Sequence, residues 1–232
     1  MGDDERYVLA GQRPWNRAVF DEVVDTVPGR WSFASTTDEL DSQLADRPRF
    51  AFFLHWSELV PEEVTSSTEC VCFHMTDVPF GRGGSPLQNL VLHGLRTTKL
   101  TALRMTPDVD AGPVYGQADL DLSGTAESVY LRADALAVPL IRRIALGELR
   151  PVDQSGEVTR FSRRNPAESA LGDDLGDLDG LYDFVRMLDA EGYPHAFVDV
   201  GRFRISLRGA NRYLDRVEAS AVVTLRDGED PA

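Results

Sequence analysis

Residues 70–94 read CVCFHMTDVPFGRGGSPLQNLVLHG, and residues 101–115 read TALRMTPDVDAGPVY. The first stretch opens with an apolar run that predicts a buried strand ending at His74, and it continues through a glycine-rich loop into a helix. The second stretch predicts a strand followed by a loop that carries Asp110. A histidine beside a carboxylate is the usual apparatus for moving protons near neutral pH. We therefore expect the rest of the chain to serve as a scaffold for this pair.

Strand patterns alternate with helix patterns on the N-terminal side of this stretch. Strands are expected at residues 6–10, 31–35, 49–56 and 69–73, and helices at residues 17–27, 38–44 and after Pro61. This alternation predicts a Rossmann-like α/β fold, with a mostly parallel sheet and helices on both faces. Ligands of such sheets lie beyond the C-terminal strand ends. Residues 11–15, 55–57 and 74–76 should therefore share one edge, where neighbouring parallel strands would deliver His74 and Asp110.

The chain divides into three predicted parts. Residues 1–148 form a catalytic domain, residues 149–160 a linker, and residues 161–232 a small C-terminal α/β subdomain. A helix over 178–190, a hairpin around Gly201 and Arg202, and a strand over 219–225 are expected in the last part. The C-terminal residues 228–232 read as a frayed tail.

Composition excludes several functions. The formal net charge of −14 disfavours nucleic acid, because phosphate binding depends on clustered lysine and arginine. No apolar run approaches the ~18 residues of a membrane helix, and the acidic N-terminus does not resemble a signal peptide. A soluble, cytoplasmic protein is expected. Cys70 and Cys72 point to the same face of an extended strand but are held too far apart to bridge comfortably, so no disulfide is expected between them, and no metal site is expected. No Gly-x-Gly fingerprint follows the first strand, so a nicotinamide cofactor is not expected.

The two quoted stretches resemble the formyltransferase family. Residues 72–88 resemble its Asn-x-His-Pro-Ser-Leu-Leu-Pro run, which leads into Arg-Gly, two small residues, a proline and a helix. Residues 105–112 resemble its Met-x-x-x-Leu-Asp-x-Gly loop, and residues 52–61 resemble the strand and Leu-Pro turn that line its folate pocket. The Phe-x-Arg-Arg-x-Pro run at 161–166 also recurs in such proteins. The resemblance covers roughly residues 50 to 122 well, with two spaced motifs in the right order.

The resemblance implies transfer of a formyl group from N10-formyltetrahydrofolate to an amine. The family's catalytic set is Asn, His and Asp, and His74 and Asp110 occupy the second and third places. Cys72 stands at the first, where an amide would hold the developing oxyanion, and a thiol is a weak donor. Three interpretations stay open: the His74 imidazolium does this work, a backbone N–H near Asp110–Gly112 substitutes, or the protein is impaired.

Further candidates follow from the same resemblance and from their position at strand ends. Cofactor contacts are expected from Phe53, His55, Trp56, Val109, Ala111 and Gly112. Acceptor contacts are expected from Trp15, Thr76, Asp77, Arg82 and Gly83. Seven of these candidates have a structural alternative. It is core packing for Trp15 and Trp56, a satisfied structural side chain for His55, loop hydrogen bonds for Thr76 and Asp77, an ion pair for Arg82, and a tight turn for Gly83.

The acceptor that best fits these residues is an amino sugar carried by a nucleotide. The run HMTDVPFGRGGSPLQNL at 74–90, with Met-Thr-Asp replacing Pro-Ser-Leu, resembles sequences of sugar and secondary-metabolite formylation. Alternatives are an amino-acid or antibiotic-type amine, methionyl-tRNA, a formyltetrahydrofolate hydrolase, and a non-catalytic folate-binding protein. Partners are expected to be a small-molecule amine, with no nucleic acid and no membrane, and a homodimer is possible.

Overall fold

A computed structural model describes residues 4–226, so the expected tail at 228–232 lies outside the described residues. The strands are β1 (Arg6–Gly11), β2 (Arg30–Ala34), β3 (Phe50–Leu54), β4 (Glu69–His74), β5 (Arg82–Gly83), β6 (Thr97–Arg104), β7 (Val114–Asp121), β8 (Arg160–Phe161), β9 (Ala196–Val200), β10 (Phe203–Arg212) and β11 (Val217–Leu225). The α-helices are α1 (Asn16–Thr26), α2 (Thr37–Leu44), α3 (Glu62–Ser67), α4 (Pro86–Leu92), α5 (Ala126–Ala145) and α6 (Leu178–Met187), with 3₁₀ turns at Pro166–Ser169 and Asp173–Leu175.

The largest sheet has the strand order β2-β1-β3-β4-β6-β7. β1 pairs in parallel with β2 and β3, and β3 pairs in parallel with β4. β6 is antiparallel to both β4 and β7. The predicted Rossmann-like, mostly parallel sheet is therefore confirmed. Because β1, β3 and β4 are parallel neighbours, the residues that follow Gly11, Leu54 and His74 meet at one edge, as expected.

Aromatic side chains fill one face of this sheet. The Tyr7 and Trp31 rings stack at 4.6 Å, and Trp31 also stacks on Phe52 at 5.9 Å. Phe33 on β2 meets Phe20 of α1 edge to face at 5.5 Å, so α1 covers this side. Burial of these rings explains why β3, with the sequence FAFFL, is apolar at every position: both of its faces are covered.

Smaller side chains fill the opposite face. Ala10, Ala51, Phe53 and Cys70 belong to one buried cluster on this side. Leu44 of α2 and Val64 of α3, with Trp56, Cys72 and Met105, pack against that cluster and are partly buried. Since residues two apart on a strand share a face, His74 projects on the same side as Cys72.

The chain forms two compact units, each assembled from three segments. The first comprises residues 1–86, of which 1–3 lie outside the described residues, together with 97–121 and 131–161, and holds the large sheet. The second comprises residues 87–96, 122–130 and 162–232, of which 227–232 lie outside the described residues, and holds a sheet of order β11-β10-β9 with α6 packed against β10.

A buried arginine ties the second unit together. Arg186 is 2% exposed, and its Nη1 donates to the carbonyls of Leu122 and Gly124 at 2.5 and 3.0 Å. Its Nε donates to Asp183 at 2.6 Å. The amide of Gln88 similarly donates to the Met187 carbonyl at 2.9 Å. The bonds to the Leu122, Gly124 and Met187 carbonyls join the unit's three segments, since each links residues more than sixty positions apart.

Within residues 4–226, no helix combines the length and hydropathy that crossing a bilayer requires. The same residues contain no group of three or more His, Cys, Asp or Glu side chains placed to hold a metal ion.

The substitution Phe52→Ala tests the aromatic face. Phe52 is fully buried, so we expect the free energy of unfolding to fall by about 3–5 kcal/mol. Denaturant unfolding followed by circular dichroism measures it. Leu59→Ala is the control: its side chain is 85% exposed, and its effect should stay within about 0.5 kcal/mol. Equal effects of the two substitutions would contradict this account of the core.

Candidate active site

His74 ends β4 and is held through its ring. Nε2 donates to the carbonyl of Gly81 at 2.8 Å, and only 8% of the side chain is exposed. Because a carbonyl can only accept, Nε2 carries a proton in this arrangement. The other ring nitrogen, Nδ1, lies 3.5 Å from Oδ2 of Asp110. Nδ1 is thus the ring nitrogen that faces the carboxylate and can exchange a proton beside it.

Asp110 reaches His74 by a different route from the predicted one. The expectation of neighbouring parallel strands was wrong, because β6 runs antiparallel to β4. β6 consequently ends beside Cys70, where the Met105 N–H donates to the Cys70 carbonyl. That point is four residues, about 13 Å of extended chain, from His74. The loop at residues 105–113 must fold back along β4 to bring the carboxylate to the imidazole.

The folded-back loop is tightly constrained. Asp110 adopts the left-handed backbone conformation, with φ 54°, which costs an ordinary residue about 1–2 kcal/mol. Its Oδ2 also accepts from the Gly83 N–H at 3.0 Å. Gly112 has no room for a side chain, since a Cβ there would lie 1.9 Å from the Arg104 carbonyl oxygen. The carboxylate is therefore fixed from three sides, by its backbone, by Gly83 and by His74.

The segment predicted to be a linker supplies bonds to this site. Oε1 of Gln154 accepts from Nε and Nη2 of Arg82 at 3.1 and 2.8 Å. Nε2 of Gln154 donates to the Asp110 and Gly112 carbonyls at 2.9 and 2.7 Å. The Thr159 hydroxyl accepts from the Gly81 N–H at 2.7 Å. Residues 154–161 therefore hold both loops that face His74.

Cys72 lies two residues before His74 and keeps its proton. Burial raises the pKa of the Cys72 thiol well above its ordinary value near 9, and the Asp110 carboxylate raises it further. Burial likewise raises the pKa of Cys70 to about 12. Both sulfurs are therefore thiols rather than thiolates near neutral pH, and neither is set up as a nucleophile.

An apolar surface adjoins the pair. Trp56, Cys72 and Met105 are partly buried and pack against the same core cluster. The Trp56 ring meets Phe53 edge to face at 5.9 Å. Phe53 itself is 2% exposed, so it supports Trp56 from the core rather than contacting a ligand. Val109, in the loop, is exposed, Ala111 is partly exposed and Gly112 is buried.

A second polar cluster lies where β1 and β3 end. Nε2 of His55 lies 2.9 Å from Oδ1 of Asp134 on α5, and Asn16 donates to Oδ2 of the same carboxylate at 2.7 Å. Asn16 is fully buried and Asp134 is 4% exposed. Trp15 meets His55 edge to face at 6.5 Å. The geometry favours the structural alternative for His55, because its ring is oriented by a buried carboxylate.

The candidate acceptor residues have local partners. Thr76 is fully buried and donates to the Gly81 carbonyl at 3.3 Å, and Asp77 is exposed and accepts from Gln117 at 2.8 Å. Arg82 binds Gln154 through its side chain. Gly83, with φ 108°, lets β5 approach β8: a Cβ would lie 2.4 Å from the Phe161 carbonyl oxygen. Thr76 thus holds the loop, while Asp77 remains accessible.

The sequence reasoning missed Gln154, Thr159, Asn16 and Asp134. Of these four, only Asp134 could have been recognised from the sequence pattern. It falls on the buried face of α5 with Tyr130, Ala133 and Ala137, and an acid at such a position indicates a paired, buried carboxylate. Gln154 and Thr159 lie in a polar segment without periodicity, so no pattern distinguished them.

Comparison with known proteins places this chain in a family. Residues 166–224 match the family model "Methionyl-tRNA formyltransferase, C-terminal domain". The methionyl-tRNA formyltransferase of Bacillus subtilis is 25% identical over 162 residues, which are 66% of this chain and 51% of that protein. The chain spans about half the length of the curated relatives it matches.

Solved structures share the whole fold. A methionyl-tRNA formyltransferase from Clostridium thermocellum superposes with a TM-score of 0.91 at 34% identity, over 96% of this chain and all of that one. A sugar N-formyltransferase from a Shewanella species superposes with a TM-score of 0.71 at 13% identity, over 91% of this chain and 99% of that one. The mixed sheet therefore has the formyltransferase fold. This chain belongs to the formyltransferase family, as its motifs predicted.

The protonated state of the two cysteines can be tested directly. At about pH 8 we expect native protein to react slowly or not at all with Ellman's reagent, because raised pKa values suppress the thiolate. After unfolding in guanidinium chloride, both thiols should react at the rate of free cysteine. Absorbance of the released thionitrobenzoate measures the reaction. Rapid labelling of Cys72 in the native protein would show that its thiolate is accessible.

Proposed function

We propose that this protein is an N-formyltransferase that moves a formyl group from N10-formyltetrahydrofolate to a primary amine of a small molecule. The observation that carries the proposal is the contact between His74 and Asp110, on the loop that folds back beside the strand end. Family membership supports the donor. The most favoured acceptor is an amino sugar carried by a nucleotide.

The proposed chemistry needs one group that can move a proton between two nitrogens. Formyl transfer between two nitrogens removes one proton from the acceptor nitrogen and delivers one to the nitrogen that is left behind. N10-formyltetrahydrofolate, when bound, supplies the formyl group. Nδ1 of His74 holds and passes the proton, and Asp110 orients the ring and stabilises its protonated form. The Gly81 carbonyl prevents rotation of the ring, because it binds the Nε2 proton.

The residues beside the pair fit a flat heteroaromatic donor. Trp56, Cys72 and Met105 present a partly exposed apolar surface, as small-molecule sites generally do. Val109 and Ala111 extend it from the loop. We assign the donor to this surface, and assign Phe53 and Gly112 indirect roles, supporting Trp56 and shaping the loop.

Cys72 replaces the amide at the first place of the family's catalytic set. A neutral thiol is a weak donor, so we assign oxyanion stabilisation to the His74 imidazolium, together with a backbone N–H near Asp110–Gly112. In this assignment Cys72 contributes shape and apolar contact rather than chemistry.

Charge supports a small acceptor. The chain carries 24 basic and 38 acidic side chains. Three arginines, on β10 and just before β11, are engaged within the second unit. They form ion pairs between Arg204 and Asp199 at 2.9 Å, Arg212 and Asp179 at 2.6 Å, and Arg216 and Glu218 at 2.7 Å. We therefore assign the exposed Asp77 and the loop that carries Trp15 to recognition of a small amine.

The substitutions His74→Ala and Asp110→Asn test the catalytic assignment. We expect each to lower kcat by about 10²–10⁴-fold, because acid–base catalysis contributes that range. Release of tetrahydrofolate in the presence of formyl donor and an amine acceptor measures turnover. His93→Ala, an exposed histidine at the end of α4, is the control and should retain full activity. Cys72→Ala should lose less than about tenfold if the thiol has no chemical role. Full activity of either His74→Ala or Asp110→Asn would refute the assignment.

Formylation of methionyl-tRNA is the second candidate, and the names of the relatives favour it. An acceptor screen with formyl donor separates the two, using nucleotide-linked amino sugars, free amino acids, aminoglycoside-like amines and methionyl-tRNA. We expect turnover with an amino-sugar nucleotide that changes little between low and moderate salt.

Turnover of methionyl-tRNA with affinity falling steeply as salt rises would favour the second candidate instead. Tetrahydrofolate release with water alone would indicate a hydrolase, and donor binding without release would indicate a folate-binding protein.

A further inference from the structure

Every hydrogen-bonding position of the Gln154 amide is used inside the site. An amide group offers two hydrogens and two lone pairs. Both lone pairs face Arg82, and both hydrogens face backbone carbonyls, of Asp110 and of Gly112. Because a guanidinium can only donate, Arg82 determines which end of the amide is the oxygen. Nε2 therefore points at the loop, and the amide has one orientation.

The two carbonyls that Gln154 binds belong to the part of the loop that carries the catalytic carboxylate. They flank Ala111 in sequence, next to the left-handed backbone of Asp110 and the crowded Gly112. Aspartate visits that conformation more readily than most residues, and contacts with its surroundings hold it there. The Gly83 N–H holds the carboxylate end of Asp110, and Gln154 holds its backbone end.

We infer that Gln154 is a positioning residue of the transferase: it sets the distance between Asp110 and His74 through the backbone of residues 110–112, without touching substrate. The inference rests on the proposed function for its kinetic consequence, but the positioning itself is independent of turnover. Loss of the two donated bonds lets the loop relax away from β4. Acid–base catalysis depends steeply on such distances, so kcat falls more than substrate affinity.

Two substitutions at Gln154 separate the loss of its hydrogen-bond donors from the introduction of a negative charge. Gln154→Glu keeps the length of the side chain and the acceptor for Arg82 but removes both donors, while Gln154→Met removes the donors and adds no charge. We expect both to lower kcat by about 10- to 100-fold, with the KM of the formyl donor changed less than about threefold. Gln43→Glu on α2 is the control, since it makes the same chemical change away from the site.

A second readout does not depend on activity. Nitrogen-15 resonances of the His74 ring report its proton at Nε2 and its neighbour at Nδ1. We expect these resonances to shift in both Gln154 variants and to stay fixed in Gln43→Glu, and circular dichroism should show that each variant remains folded. If wild-type protein transfers no formyl group to any acceptor, the proposed function fails, and the ring resonances still test the positioning.

Two results would overturn the inference. In the first, both Gln154 variants match wild type in their His74 resonances and in kcat. The other is a loss confined to Gln154→Glu, because an introduced negative charge, rather than missing donation, would then be responsible.

Discussion

The site depends on one shared carboxylate. Oδ2 of Asp110 lies 3.0 Å from the Gly83 N–H and 3.5 Å from Nδ1 of His74, so one oxygen connects the glycine-rich loop to the end of β4. The His74 ring in turn binds the Gly81 carbonyl. These three contacts link the glycine-rich loop, the imidazole ring and the carboxylate to one another. A shift of the loop, the ring or the carboxylate would therefore disturb the other two. The constrained backbone at Gly83, Asp110 and Gly112 limits such shifts.

The direction of β6 explains why the loop that carries Asp110 needs contacts from other segments. A parallel β6 would have ended beside His74, and Asp110 would have followed directly. The antiparallel β6 ends at the far end of β4, so a nine-residue loop, 105–113, must return along the strand. A loop of that length orders itself only at an entropic cost, because each fixed residue loses about 1–2 kcal/mol of conformational freedom. Gln154 and the Gly83 N–H offset this cost, and Gly112 lets the chain pass close to Arg104.

Sequence reasoning reached most of the fold and the central pair. Periodicity located β1 to β4, α1 and α2 within about two residues, because buried strands and amphipathic helices have distinct periods. The two spaced motifs identified His74 and Asp110. The direction of β6 was not predicted correctly, since the pattern of apolar and polar residues in TTKLTALR fits a parallel strand as well as an antiparallel one. Gln154 escaped because a polar loop residue shows its role only through partners more than forty residues away. Phe53 was assigned to the ligand surface, but both faces of β3 are covered, so its ring lies in the core.

The three-segment construction of each compact unit limits how the gene can be divided. Residues 1–148 contain the histidine and the carboxylate, yet a protein shortened to that point would lack Gln154, Thr159 and β8. Helix α5 also contributes its first turn to one unit and its remainder to the other. Recombination between relatives at a single crossover would therefore mix both units at once. Exchange of acceptor preference between family members calls for grafting separate loops, not for swapping halves of the polypeptide.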